Sequence, residues 1–89
     1  MPYVVLCPNP YRDLELHLTL QVQQLLENAG YASVISPLFA DGASERVPRS
    51  LSTVPLEDAI SEAALLVPFG GDGTILHAAR AAMERAVPI

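Results

Sequence analysis

The chain has 89 residues, 51% hydrophobic and 17% charged, a balance too apolar for disorder and enough for one compact core. Ten acidic residues against five basic leave a formal net charge of -5, which repels a phosphate backbone and argues against nonspecific nucleic-acid binding. No apolar run approaches the roughly 20 residues of a spanning helix, and the opening Met1-Pro2-Tyr3-Val4-Val5-Leu6 carries no secretory pattern. A cytoplasmic domain without a membrane partner is therefore expected.

Residues 3–7 form a short β-branched apolar run closed by Pro8-Asn9-Pro10, the pattern of a strand covered on both faces. Cys7 within it is the only cysteine; with no partner for a disulfide and no metal-ligand spacing around it, it reads as a small buried apolar residue. Over residues 13–29, Leu14, Leu18, Val22, Leu25, Leu26 and Ala29 recur mostly every three or four positions, with Glu15, Gln23 and Glu27 between them. That spacing predicts an amphipathic helix, stopped by Gly30, where a left-handed backbone costs glycine little. Residues 31–36 predict a second strand.

Residues 37–53 lack any apolar period and predict a long, mobile surface loop. Pro55 suits the first turn of a short helix reaching about Ala63. Residues 64–67 predict a third strand, ended near Val67 because Pro68 removes a ladder donor. Beyond a glycine loop, Ile75, Leu76, Ala79, Ala82, Met83 and Ala86 predict the apolar face of a last helix, with His77, Arg80, Glu84 and Arg85 elsewhere. Val87-Pro88-Ile89 reads as the opening of a fourth strand. This alternation implies an α/β fold: a parallel sheet with helices on its faces and right-handed crossovers.

The chemistry concentrates in Gly70-Gly71-Asp72-Gly73-Thr74, between a buried strand and a helix start, at the sheet edge where open α/β proteins bind ligands. Glycines permit positive φ and bring backbone N–H groups close to an anion, and the helix that follows presents its positive end. The dinucleotide fingerprint is absent, since its third glycine is missing. All five basic residues, Arg12, Arg46, Arg49, Arg80 and Arg85, are arginines, so a Walker A loop with its phosphate-binding lysine is excluded. An acid in a phosphate loop opposes the ligand's charge unless a metal or a proton transfer is involved. Asp72 is thus a candidate general base for phosphoryl transfer; the plainer alternative is that Asp72 or Thr74 only caps the helix.

The run Phe69-Gly70-Gly71-Asp72-Gly73-Thr74-Ile75-Leu76-His77-Ala78-Ala79-Arg80 resembles the glycine-aspartate loop and helix of NAD kinases, and Cys7-Pro8-Asn9-Pro10-Tyr11-Arg12 resembles the end of their first strand. The five-residue core is shared with diacylglycerol and sphingosine kinases and, more loosely, phosphofructokinases; lipid kinases tend to continue with Asn-Glu after the threonine, whereas Ile75-Leu76-His77 follows the NAD kinase pattern. Pro68 and Phe69 depart from it. The resemblance implies the three-layer, Rossmann-like or phosphofructokinase-like amino-terminal nucleotide-binding domain over residues 1–89, with the β-rich carboxyl-terminal NAD-binding domain absent from this chain.

It further implies transfer of a phosphoryl group from ATP, or polyphosphate, to the 2′-hydroxyl of the adenosine ribose of NAD, giving NADP, with Mg²⁺ or another divalent cation carried by ATP. Asp72 would be the catalytic base. Gly70 is the turn residue, Gly71, Gly73 and Thr74 shape the loop near the phosphates, and His77 and Arg80 are within reach of one. This chain alone is expected to be inactive, and the full protein a homo-oligomer. The alternatives are a fragment of a lipid kinase and a noncatalytic nucleotide-binding module.

Overall fold

A computed structural model describes residues 3–38 and 51–89, the side chain of Leu14 excepted. Three strands, β1 (Tyr3–Pro8), β2 (Ser33–Ile35) and β3 (Ala63–Phe69), form a parallel sheet in the order β2-β1-β3. Helix α1 (His17–Asn28) follows β1, the short α2 (Leu56–Ala59) precedes β3 and runs into a 3-10 turn (Ile60–Glu62), and α3 (Asp72–Arg85) follows β3. The expected α/β class, a parallel sheet with flanking helices, is what forms.

The central strand divides the core by its own alternation. Val5 and Cys7 belong to one buried cluster with Leu66, Ala59, Ile60, Ala78 and Ala82, whereas Leu6 joins Leu16 and Ile35, backed by Leu20, Val22 and Leu26 of α1. Successive strand residues point to opposite faces, so α1 covers one face and α2 with α3 the other. Crossovers of one unvarying hand demand this: the chain steps from β1 outward to β2, then reverses across β1 to β3, and a reversal of direction must change the face.

Several boundaries differ from expectation. Helix α1 starts at His17, four residues later than the apolar period suggests, because residues 14–16 make a 3-10 turn in which Glu15 and Leu16 take left-handed backbone (φ 55° and 57°). That turn shifts the helical phase. Leu16 is fully buried, while Leu18 and Leu25, expected inward, are 50% and 67% exposed, Ala29 is exposed and Gln23 half-buried. Gly30 does adopt the predicted left-handed conformation, φ 88°, and Tyr31 N–H reaches back to Leu26 O at 2.8 Å to close the helix. Strand β2 is shorter than expected, although Ser36 N–H still bonds Leu6 O at 2.8 Å. Most of the long loop lies outside the described residues.

Pro55 is the cap of α2 rather than its first helical residue, with φ -57° and ψ 140°. Pro68 does not end β3, which continues to Phe69, opposite Pro8. The reason is alternation of backbone direction: Phe69 O accepts Asn9 N–H from the β1 side at 3.0 Å, and Leu66 N–H points the other way, to Pro88 O at 2.9 Å. Pro68 shares the phase of Leu66, so its missing N–H falls on the side away from β1 and costs the β1 ladder nothing. The bond to Pro88 also puts the Val87-Pro88-Ile89 segment beside β3, where a fourth strand was expected, although it forms no assigned strand.

Of the predicted apolar face of helix α3, Ala82 is buried and Ala79 half-buried, but the large residues are not. Thr74, Ala78 and Ala82, spaced by four, are the buried line, whereas Ile75, Leu76 and Met83 are 48%, 55% and 80% exposed. Only short side chains fit between this helix and β3; the larger ones turn outward, and periodicity alone could not distinguish the two apolar flanks.

Candidate functional site

The order β2-β1-β3 places a topological switch point between β1 and β3, where chain connections depart to opposite faces and open parallel sheets form a crevice at their carboxyl ends. β1 delivers Asn9 to that edge, and β3 delivers Gly70 and Gly71. Asn9 N–H bonds Phe69 O, so the two strand ends are joined at the mouth of the crevice.

Gly71 occupies the cap position of α3 in extended backbone, φ -88° and ψ -165°, and its carbonyl accepts Thr74 N–H and Ile75 N–H at 3.0 and 3.1 Å. No side chain caps the helix. Neither Asp72 nor Thr74 plays the capping part that their sequence position allows. Asp72 is the first helical residue, exposed, and gains from the helix dipole about 0.3–1 kcal/mol at most. Among the described residues no acceptor meets the N–H groups of Gly71, Asp72 and Gly73.

The glycines separate into two kinds. A Cβ on Gly70 would collide with Thr74 Oγ1 and stand 2.9 Å from Thr74 Cβ, so this glycine is required by close approach. Around Gly71 and Gly73 a Cβ would meet nothing within 4 Å, and neither has positive φ; Gly30 alone among the described glycines does. The expectation that the loop glycines serve unusual φ angles is therefore corrected. Gly71 and Gly73 leave their N–H groups bare on the solvent side, where packing would have tolerated alanine.

Thr74 is 2% exposed and turned into the fold, its Oγ1 accepting Asn9 Nδ2 at 3.3 Å. Its side chain braces the loop from beneath. His77 and Arg80 are exposed on α3, where with Gly73, Leu76, Ala81 and Glu84 they line an open cleft of 360 Å³. A second cleft of 250 Å³ between α2 and α3 shares His77, Ala81 and Glu84. Asp72 and Arg80 are eight residues apart, roughly 12 Å along the axis at 1.5 Å per residue, on neighbouring flanks of the helix. The structure thus brings Gly73, His77 and Arg80 to one cleft, whereas Gly70, Gly71, Asp72 and Thr74 do not line it.

Two residues at this edge carry no strong sequence signal. Asn9 reaches α3 across 65 positions, a contact no local pattern reveals. Arg12, exposed, follows at the same edge, its N–H bonding Asn9 O at 2.9 Å. Cys7 is fully buried, and burial pushes its thiol up to about 12, which agrees with an inert apolar role. No described helix is long and apolar enough to cross a membrane.

Fold and site together define a class: an α/β domain with a parallel three-stranded sheet, flanking helices and an open glycine-aspartate loop at its switch point. Compared with family models, curated proteins and solved structures, the chain matches none.

Proposed function

We propose that the chain is the nucleotide-binding domain of an NAD kinase, of the Rossmann-like or phosphofructokinase-like type its motif resembles, which phosphorylates the 2′-hydroxyl of the adenosine ribose of NAD with ATP. The observation that carries the reading is the helix start itself: three bare N–H groups at residues 71–73 beside a carboxylate that caps nothing. The N–H groups and the helix dipole suit the oxygens of a phosphoryl group. A carboxylate at the same place weakens that attraction, so its presence is best explained by a proton it must accept.

In this reading Asp72 takes the proton of the ribose hydroxyl as its oxygen bonds to the terminal phosphorus; the bond from that phosphorus to the bridging oxygen breaks, and ADP leaves with the electron pair. The bare N–H groups orient the transferring phosphoryl group. Arg80, with His77 and Gly73 along the same cleft, supplies the fixed positive charge that a lysine gives other kinases. Among the described residues no three His, Cys, Asp or Glu side chains gather to hold a metal. The single carboxylate of Asp72 fits an ion held chiefly by phosphates and water, the usual manner of Mg²⁺. Such an ion neutralises charge on the phosphates when bound.

The test is formation of NADP from NAD, ATP and Mg²⁺ by the full polypeptide that carries these residues, with diacylglycerol and sphingosine as competing acceptors. NADP formation supports the assignment; phosphorylation of a lipid alone overturns it in favour of the lipid-kinase reading, and no transfer to any acceptor favours a noncatalytic module.

A further inference from the structure

We infer that Asn9 is a positioning residue for the phosphoryl-transfer loop, acting through Thr74; the inference rests on the kinase reading above. Among the described residues, Asn9 links the end of β1, the end of β3 and the first turn of α3. Its N–H bonds Phe69 O at 3.0 Å, its carbonyl accepts Arg12 N–H and Asp13 N–H at 2.9 Å each, its Oδ1 accepts Tyr11 N–H at 3.0 Å, and its Nδ2 donates to Thr74 Oγ1 at 3.3 Å. Every polar group of the residue is engaged.

The amide is suited to this place by chemistry. Tyr11 N–H is a donor, so the oxygen of the side chain must face it, and the nitrogen is then left to face Thr74. An aspartate would offer a second acceptor in place of that donor, and a serine is too short to serve both partners. The side chain is also held rigid from its own backbone: Pro8 and Pro10 on either side are fully buried, and each fixes φ through its ring.

What Asn9 grips determines the direction of the site. Thr74 Oγ1 accepts Asn9 Nδ2 and sits so close to Gly70 that a Cβ there would collide with it. The threonine is therefore tied to β1 and seated close against Gly70, and its backbone N–H closes the turn on Gly71 O. With no side chain capping the helix, the Asn9–Thr74 bond is the tie that sets how the first turn, and with it Asp72 and the N–H groups of residues 71–73, faces the crevice. Loss of the tie would leave the loop present but misdirected, and a misplacement near 1 Å is enough to lower a rate by as much as about 100-fold.

The experiment is a double-mutant cycle in the full polypeptide, reading kcat, KM for MgATP and thermal midpoint for Asn9→Ala, Thr74→Val, the pair, and Thr74→Ser. The expected result is a fall in kcat of about tenfold or more in each single variant with KM for MgATP changed less than about threefold, no further loss in the pair, and recovery in Thr74→Ser, which keeps the accepting oxygen. Equal kcat with a lowered thermal midpoint would show a structural clasp only and overturn the proposal, as would losses that multiply in the pair. Thr74→Ser keeps the test decisive if Thr74→Val fails to fold: a near-native kcat supports the proposal, and a kcat as low as that of Asn9→Ala overturns it. Asp72→Asn run in parallel separates the two readings. Absence of NADP formation by the native polypeptide removes the kinase reading and this inference with it; an undiminished rate in Asp72→Asn removes the loop as the transfer site, and this inference, without removing the activity; a dead Asp72→Asn beside a fully active Asn9→Ala removes this inference alone.

Discussion

The loops leaving β1 and β3 lie side by side at one edge of the sheet, and they treat the helix that follows in opposite ways. After β1, the carboxylate of Asp13 reaches forward to the start of α1: Oδ1 accepts Leu18 N–H at 2.9 Å, and Oδ2 accepts Thr19 N–H at 2.9 Å and Thr19 Oγ1 at 2.6 Å. The positive end of α1 is consumed internally by the protein's own anion. After β3, the carboxylate of Asp72 stands at the same kind of place, bonds none of the N–H groups around it, and leaves them open. Two acidic residues at two helix starts thus have different tasks. The first completes the fold, and under the proposed function the second serves a ligand.

The largest expected effect comes from removing the second carboxylate. Asp72→Asn is nearly isosteric and loses only the small helix-dipole contribution, so the thermal midpoint should fall by no more than about 4 °C, while NADP formation by the full polypeptide falls by about 10²–10⁴-fold, the usual worth of a general base. A variant that turns over at the native rate would break the contrast, since Asp72 would then be as structural as Asp13. For the 89-residue chain by itself, titration with MgATP followed through the amide signals of Gly71, Asp72 and Gly73 should show weak binding without turnover.

Next in size is Gly70→Ala, which drives a methyl group into the Thr74 side chain. Overpacking of this kind costs about 1–3 kcal/mol, read as a lower denaturant midpoint, and Thr74→Ala should recover part of it by removing Oγ1 and Cγ2. Stability unaffected by Gly70→Ala would mean that the loop and helix are not braced against each other as described.

Asp13→Ala tests the other side of the comparison. It removes the cap of α1 and the constraint on the left-handed pair Glu15 and Leu16, and should destabilise the domain by about 2 kcal/mol, near the upper limit for a helix cap. MgATP binding to folded protein should be unchanged. A selective loss of nucleotide affinity would place Asp13 in the site and remove the distinction between the loops.

How far the sequence foretold this pair of loops follows from the range of the forces involved. The place of Gly70-Gly71-Asp72-Gly73-Thr74 between a strand and a helix start was legible because its neighbours in sequence are its neighbours in space, and the parallel α/β order was legible from the alternation of strand and helix patterns. The cap of α1 was not, since a left-handed turn at Glu15 and Leu16 has no glycine to announce it and is imposed by Asp13 and the burial of Leu16. The same turn carried Leu18 and Leu25 out of the predicted face. Asn9 read as a turn residue closing β1 and as part of a resemblance, with nothing to reveal its contact to α3; its partner is 65 residues away, and only the sheet order brings them together. In α3 the predicted apolar face holds at Ala82 but fails at Ile75, Leu76 and Met83, which are exposed, because the line packed inward is made of the short side chains Thr74, Ala78 and Ala82.

The smallest effect separates stability from binding most cleanly. Gly73 lies in the first turn of α3 with nothing within 4 Å of a prospective Cβ and no positive φ, so by backbone propensity alone Gly73→Ala should stabilise the helix by up to about 1 kcal/mol. The same methyl group would stand beside the bare N–H that the phosphates are proposed to approach. Stability and affinity should therefore move in opposite directions: a slightly higher denaturant midpoint together with weaker MgATP binding. Were both to rise or remain level, the open space at Gly73 would have no ligand to account for it, and the loop after β3 would be no more committed to an outside partner than the loop after β1.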